Sequence, residues 1–219
     1  MSYTIQQVDP LHRSSWFTPA ECLSFYKVAY QFREIQIHWW GDPATKPTHA
    51  GIVEFIRNKT GGSVNYVASA GKITRMVAEG NCALTTQNGN PYGVKIECSP
   101  YGTDEDYKTI GWLVYDIQRR RGRLPLVPHK KYFNTACPGT LSLTRIQAEA
   151  DKYKEANMTT SRDDAIWIWR TVKMVHSPTA AQKLQFTNKV LTPLLTDLYD
   201  DGDVAGFRQI VKVDYPALV

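Results

Sequence analysis

The sequence predicts an α/β fold in which helices flank a mixed central β-sheet, with a small helical region at the C-terminal end. Two observations predict it. Segments of strand-like alternation take turns with segments that begin on helix caps, and the last third of the chain carries only helical stripes. With 42% hydrophobic and 21% charged residues among 219, the composition is globular and excludes wholesale disorder. No apolar run approaches the roughly 18–20 residues that span a bilayer, so we expect no membrane insertion.

The first elements are two capped helices with a strand between them. Thr18 is followed by proline at the first helical position and by glutamate three positions on, which predicts a helix running to about Tyr30. Residues 34–40 alternate in polarity and lead into a Gly-Asp-Pro turn, which is typical of a strand. Thr48 then caps a second helix that we expect to end near Asn58.

A hairpin, a strand and a long helix follow. Residues 63–77 contain two β-rich runs around an Ala-Gly-Lys turn, which predicts the hairpin. Residues 92–98 alternate, so we expect Lys95 and Glu97 to face away from their apolar neighbours. A helix is predicted over residues 104–121, because acidic residues open it and arginines close it, the charge order that the helix macrodipole favours.

The basic run over residues 118–123 allows two interpretations. It resembles a nucleic-acid-binding patch, but arginines that complement the dipole at a solvated helix end account for it without a partner. We therefore expect no nucleic-acid partner. Residues 124–139 are punctuated by proline and predict a loop, and a helix over residues 142–156 is expected to close the domain.

The chain divides into two predicted regions, a domain over residues 1–156 and a helical region over residues 163–219. Residues 151–219 hold nine basic and nine acidic side chains, so the whole net charge of +5 lies in residues 1–150, as 17 basic minus 12 acidic residues. A positive field of this kind suits an anionic partner such as cell wall, a membrane surface or nucleic acid. The charge is too small to choose among these three.

Two histidines and a cysteine form the best candidate metal site. His38 lies at the end of a predicted strand, and His129 and Cys137 lie eight residues apart in the proline-rich loop. Two imidazoles and a thiolate are good zinc ligands, and three protein ligands leave a fourth position for water, as in catalytic zinc sites. Two alternatives stay open. Cys137 is also a candidate for a buried structural thiol, although its closeness in sequence to His129 favours the ligand. His49, at the start of the second helix, is a rival ligand.

Five motifs occur in an order that resembles the type-2 N-acetylmuramoyl-L-alanine amidases, the family of phage endolysins and animal peptidoglycan recognition proteins. The resemblance covers about residues 30–150, and the ordered set is more specific than any of its members. One stretch departs from it, because residues 81–85 read NCALT where many members carry a Trp-His-Ala element that lines the substrate cleft. The motifs are Ile37-His38-Trp39, Asn65-Tyr66-Val67 with Ala70-Gly71-Lys72-Ile73, Gly93-Val94-Lys95-Ile96-Glu97, His129, and Thr135-Ala136-Cys137-Pro138-Gly139.

The resemblance implies a mixed-sheet zinc hydrolase that cleaves the amide between N-acetylmuramic acid and L-alanine in peptidoglycan. In it, His38, His129 and Cys137 match the three metal positions. Glu97 matches the family's strand glutamate, which would take a proton from the attacking water and return it to the leaving amine. Tyr66 matches a tyrosine that would hydrogen-bond the water or the developing oxyanion.

A third non-ligand residue, Thr135, stands where family members carry lysine or threonine, and it offers a hydrogen bond where lysine would offer charge. Each of these matches has an alternative. Glu97 is also explained as a solvated strand carboxylate, Tyr66 as a hairpin anchor and Thr135 as a turn cap. Trp39 and Trp40 form either an aromatic wall of the cleft or part of the core.

The resemblance predicts a phage or prophage endolysin that lyses its bacterial host, with zinc as cofactor, peptidoglycan as partner and a monomeric state. The segment Met1–Leu11 has neither the basic nor the apolar region of a secretory signal, so we expect the enzyme in the host cytoplasm until it is released to the cell wall. Residues 163–219 would bind the wall or brace the catalytic domain. The alternative function is a non-catalytic peptidoglycan-binding module of the same fold, although such relatives usually lack a metal ligand.

Overall fold

A six-stranded mixed sheet with helices on both faces makes up residues 3–156, the part of the chain that the computed structural model describes. The strands are β1 (Ile5–Gln7), β2 (Trp16–Phe17), β3 (Glu34–Trp39), β4 (Tyr66–Ser69), β5 (Lys72–Arg75), β6 (Cys82–Ala83), β7 (Gly93–Cys98) and β8 (Leu126–Pro128). The sheet order is β1-β5-β4-β7-β3-β8, while β2 pairs with β6 separately. Within the large sheet only β4 and β5 pair antiparallel. The predicted mixed sheet flanked by helices is confirmed.

The helices are α1 (Pro19–Tyr26), α2 (His49–Asn58), α3 (Asp104–Arg121) and α4 (143–156). Threonines cap the first three: Thr18 and Thr103 each form a capping box with the residue three positions on, and the Thr48 side chain accepts from the third backbone N–H of α2. The first helix is shorter than predicted because Lys27 adopts the left-handed conformation at its C-cap. Within residues 3–156, none of the helices is both long and apolar enough to cross a membrane.

The two faces of the sheet differ in polarity because side chains alternate along each strand. One face is apolar and packs against α3 and α4, with a core that includes Ile35, Ile37, Val94, Ile96, Ile110, Leu113 and Ile146. The opposite face carries a smaller core beneath α2, formed by Ile56, Val64, Val67 and Met76. Beside that smaller core lies a row of buried polar side chains on β3 and β7. This second face is therefore the one that supplies polar groups for a functional site.

Gly139 brings the segment after β8 against the end of β3. Its φ of +62° lies in the left-handed region, and a Cβ added there would sit 2.1 Å from the Trp39 ring. Only glycine combines that backbone conformation with such a close approach. The Trp39 ring also packs against the apolar core, so Gly139 lies against a ring that is itself fixed by packing. Cys137 is two residues away and is therefore held near the same strand end.

Four short strands were not expected from the sequence. β1, β2, β6 and β8 have only two or three residues each, too few for a period-2 pattern to stand out. The strand β8 lies in the segment 124–139 that predicted a loop. It pairs in parallel with β3 through its backbone, and this pairing has a direct consequence for the candidate site.

Contacts divide the chain into two units, with the division after Tyr153. The first unit contains the whole sheet and α1 to α3. The predicted helical region over residues 163–219 lies outside the described residues. Its boundaries and its role stay a prediction.

We expect the core between α3 and the sheet to dominate the stability of the described domain. Leu113 is fully buried on α3, so Leu113→Ala should lower the free energy of unfolding by about 2–5 kcal/mol. The matched control is Leu23→Ala, because Leu23 is also helical but 50% exposed; we expect a change within about 0.5 kcal/mol. Urea unfolding of both variants measures the difference. Equal losses at the two positions would show that this face is not the main core.

Candidate metal centre

Strand register brings two histidines side by side. β3 and β8 are parallel neighbours, and their register pairs Ile37 with Pro128. The next residue on each segment is a histidine, His38 on β3 and His129 at the start of a short 3-10 helix, His129–Lys131. Their ring centroids lie 4.4 Å apart. His38 is buried at 2% exposure, whereas His129 is partly exposed and faces the surface.

Cys137 completes a three-residue group, which we call the His-His-Cys cluster. Its Sγ lies 3.9 Å from Nδ1 of His38, and one ligand atom from each of the three residues lies within 4.8 Å of the others. A tetrahedral zinc ion with bonds of about 2.0–2.3 Å separates its ligands by about 3.3–3.7 Å. A contraction of about 1 Å therefore lets these three atoms share one ion. The donor set fits zinc, because soft thiolate and imidazole ligands select it over magnesium or calcium.

Burial sets the protonation of the cluster in the protein alone. It lowers the pKa of His38 well below its ordinary value, with a further contribution from His129, and it lowers the pKa of His129 as well. Both imidazoles are therefore neutral, the form that binds a metal. Burial raises the pKa of the Cys137 thiol to about 12. A divalent cation offsets such a penalty by binding the thiolate, and the Trp39 N–H, 3.4 Å from Sγ, already favours that form.

Glu97 lies on the same face as the His-His-Cys cluster. The parallel register of β3 and β7 pairs it with His38, and paired residues on neighbouring strands point to the same side. Its side chain is partly buried, and burial raises its pKa to about 8. Within residues 3–156 no hydrogen bond engages its carboxylate, which is thus available to a substrate or a water. The solvated-carboxylate alternative does not describe this environment.

The structure does not bring Tyr66 to the His-His-Cys cluster. Its register partner on β7 is Ile96, one residue before Glu97, so Tyr66 points to the opposite, apolar face. There it is buried in the larger core, and its hydroxyl donates to Oε1 of Glu79 at 2.7 Å. The expected role at an oxyanion has no support from this position. Tyr66 instead fits the alternative role of a hairpin anchor, because its ring packs in the core and its hydroxyl binds Glu79.

Thr135 lies beside the cluster as a turn residue. Its Oγ1 accepts a hydrogen bond from the backbone N–H of Cys137 at 3.2 Å. This contact fixes the backbone that presents the thiol. The hydroxyl proton of Thr135 is not used in that bond, so both the turn-cap role and donation to a substrate are compatible with the geometry.

The other candidates lie elsewhere. His49, the rival ligand, sits on α2 with its ring nitrogens 2.8 Å from Ser69 Oγ and 2.9 Å from Thr74 Oγ1, a satisfied structural position. Trp39 packs against the larger core and Trp40 against the smaller one, so both serve packing. The stretch 81–85, where the sequence departs from the resembled family, forms β6 and the residues around it.

Sequence reasoning missed three buried polar residues behind His38 and one ring in front of His129. Glu34 and Gln36 share a strand face with His38, so their even spacing on β3 was a signal that could have found them. Thr86 comes from a distant loop, and no local pattern marks it. Phe133 is 44% exposed and stacks on the partly exposed His129, with ring centroids 6.0 Å apart.

Comparisons with known proteins address the fold. No protein-family model and no curated protein matches the sequence. Among solved structures, the catalytic domain of XlyA aligns with a TM-score of 0.54 at 16% identity, covering 67% of this chain and 98% of that domain. A mutant endolysin from Bacillus subtilis aligns with a TM-score of 0.51 at 14% identity, covering 70% and 98%. The endolysin and N-acetylmuramoyl-L-alanine amidase LysCS from Clostridium intestinale URNW aligns with a TM-score of 0.51 at 18% identity, covering 68% and 95%.

These structures share the fold at identities too low to transfer a residue's role. Each is covered almost completely, and each match spans about two thirds of this chain. The six-stranded mixed sheet and its flanking helices therefore have the fold of endolysin and N-acetylmuramoyl-L-alanine amidase catalytic domains.

Proposed function

We propose that this protein is a zinc-dependent peptidoglycan hydrolase that cleaves the amide between N-acetylmuramic acid and L-alanine. The observation that carries the proposal is the convergence of His38, His129 and Cys137 on one point of an amidase-type sheet, with Glu97 as the register partner of His38. A fold alone does not define a function, so the side chains at the site bear the argument.

The chain supplies a ligand set with an open position and an acid–base residue beside it. His38, His129 and Cys137 would hold the ion. The fourth coordination position would face the surface on the side of the partly exposed His129, where water and substrate can bind. A bound zinc ion lowers the pKa of water from 15.7 towards about 7 and polarises a carbonyl. Burial favours the protonated form of Glu97, and the charge of a bound cation would favour its carboxylate instead. As a carboxylate, Glu97 would accept the proton of the attacking water and return it to the nitrogen of the leaving L-alanine.

Two neighbouring residues orient this machinery. Thr135 holds the Cys137 backbone through its Oγ1 and keeps its hydroxyl proton for a substrate oxygen. Phe133 offers an exposed ring face beside His129, a surface on which the face of a sugar or a stem peptide can pack. The positive charge of residues 1–150 favours approach to an anionic wall.

The biological setting forms part of the same proposal. We propose a phage or prophage endolysin that acts as a monomer, remains in the host cytoplasm until lysis and then reaches the cell wall. We propose no nucleic-acid partner. Residues 163–219 are proposed to bind the wall or to brace the catalytic domain.

Product analysis tests the proposal directly. Purified peptidoglycan treated with the protein should release stem peptides with a free L-alanine N-terminus and leave intact glycan strands, as read by mass spectrometry. A chelator should stop the release and added zinc should restore it, while Cys137→Ala should release nothing because it loses a ligand. Cut glycan strands or cuts within the stem peptide would contradict the assigned bond. Binding to the wall without any product would favour the non-catalytic module.

Glu97→Gln separates metal binding from proton transfer. The variant should keep about one zinc ion per chain, because Glu97 is not one of the three proposed ligands, while kcat falls by about 10²–10⁴-fold. Elemental analysis and the rate of stem-peptide release measure the two quantities. The matched control is Glu54→Gln on the exposed side of α2, which should keep both. A wild-type kcat in Glu97→Gln would remove this residue from the mechanism.

A further inference from the structure

A chain of buried polar side chains runs directly behind His38. Gln36 and Thr86 have no exposed surface and Glu34 is 4% exposed. Buried polar groups are costly unless each donor and acceptor is paired, so the hydrogen bonds among them are tightly specified. Within residues 3–156, Trp40 Nε1 is the one buried side-chain nitrogen or oxygen that lacks a hydrogen-bond partner, so each buried polar atom of Glu34, Gln36 and Thr86 has at least one.

The direction of each bond follows from Gly89. Its carbonyl oxygen can only accept, and it lies 2.7 Å from one terminal atom of the Gln36 amide, which must therefore be the nitrogen. The same nitrogen donates to Oε1 of Glu34 at 3.0 Å. The Gln36 amide oxygen is thus the atom 2.6 Å from Thr86 Oγ1, and it can only accept. The Thr86 hydroxyl consequently donates its single proton to the Gln36 amide oxygen.

The direction of the Thr86 hydrogen bond decides which ring nitrogen of His38 carries the proton. Thr86 Oγ1 also lies 3.4 Å from Nε2 of His38, and with its proton already donated it can only accept there. The Nε2 atom of neutral His38 therefore carries the ring proton. The lone pair is left on Nδ1, the atom 3.9 Å from Cys137 Sγ and the one that faces the rest of the His-His-Cys cluster.

Glu34 also anchors the segment that carries the second histidine. Its Oε2 accepts from Lys131 Nζ at 2.6 Å and its Oε1 from the Tyr132 hydroxyl at 2.6 Å. These two residues follow His129 by two and three positions. One buried carboxylate thus touches both the row leading to His38 and the short helix that begins with His129.

We propose that Glu34, Gln36 and Thr86 are positioning residues of the metal centre, which set the His38 tautomer that presents Nδ1 to the ion and hold the His129 segment in place. Outer partners of this kind fix the tautomer and orientation of a metal-binding histidine, and their loss typically costs about 10–100-fold in metal affinity. The proposal deepens the proposed function and rests on it for the ion. The tautomer itself is a property of the metal-free protein.

Zinc affinity of three threonine variants forms the first test. Thr86→Val removes the hydroxyl with little change in shape and should weaken zinc binding by about 10–100-fold in a competition titration with a chromophoric chelator. Thr86→Ser restores the hydroxyl and should return the affinity to within about threefold of wild type. Thr85→Val is the matched control, since its hydroxyl makes no hydrogen bond within residues 3–156, and should behave as wild type. Equal affinities of Thr86→Val and Thr86→Ser would overturn the proposal.

The second test reads the tautomer without a metal. Side-chain ¹⁵N chemical shifts of His38 in the metal-free protein should show the proton on Nε2. In Gln36→Met the Thr86 hydroxyl loses its acceptor and turns to donate to Nε2, so the His38 proton should move to Nδ1. A purely structural role for Gln36 would not move that proton. Protonation on Nδ1 in the wild type, or the same tautomer in both proteins, would overturn the proposal.

The two failures are distinguishable. If the wild-type protein binds no zinc, the proposed function fails, while the nitrogen shifts still decide whether the chain orients His38. If the wild type binds zinc and releases stem peptides but the Thr86 variants and the tautomer do not respond, the proposed function stands and the positioning role is rejected.

Discussion

The parallel register of three neighbouring strands is the constraint on which the rest of the site depends. β3 lies between β7 and β8, and its pairing with both places His38 beside Glu97 on one side and next to the position of His129 on the other. A shift of one residue in either pairing would turn a side chain to the opposite face. The relative placement of ligand and carboxylate is therefore set by backbone hydrogen bonds, before any side chain contributes.

The second requirement is the difference between the two sheet faces. The apolar face is covered by α3 and α4, and its packing provides most of the burial that stabilises the domain. The other face buries polar groups, of which Lys95 is the extreme case: it has no exposed surface, and its Nζ donates to the carbonyls of Asn90 and Gly93 at 2.9 Å. Burial lowers the pKa of Lys95 to about 8 and raises that of Glu97 to about 8. In such surroundings each hydrogen bond is stronger and each unpaired group is more costly, which favours a rigid site.

Much of the fold could be predicted from the sequence because its signals are local. Threonine caps, the acidic start of α3 and the alternation of β3 and β7 each lie within a few residues, and the structure confirms those elements. The short strand β8 could not be predicted, since three residues carry no periodicity and its pairing with β3 is non-local. The same limit explains Tyr66, whose face depends on a register that its own neighbours do not specify. Thr86 lies 48 positions from His38 along the chain and meets it only through the fold.

The site also contains residues that the sequence could predict and residues that only the fold brings together. The donor atoms of His38, His129 and Cys137, together with the family resemblance, predict a zinc site, and the structure brings these three residues together. The proposed metal centre requires that one ion bind two imidazole nitrogens and one thiolate. X-ray absorption at the zinc edge of the zinc-loaded protein measures this directly. We expect one sulfur at about 2.3 Å and nitrogen or oxygen neighbours at about 2.0–2.1 Å, completing four ligands. A zinc coordination sphere without sulfur, or with more than one sulfur, would contradict this ligand set.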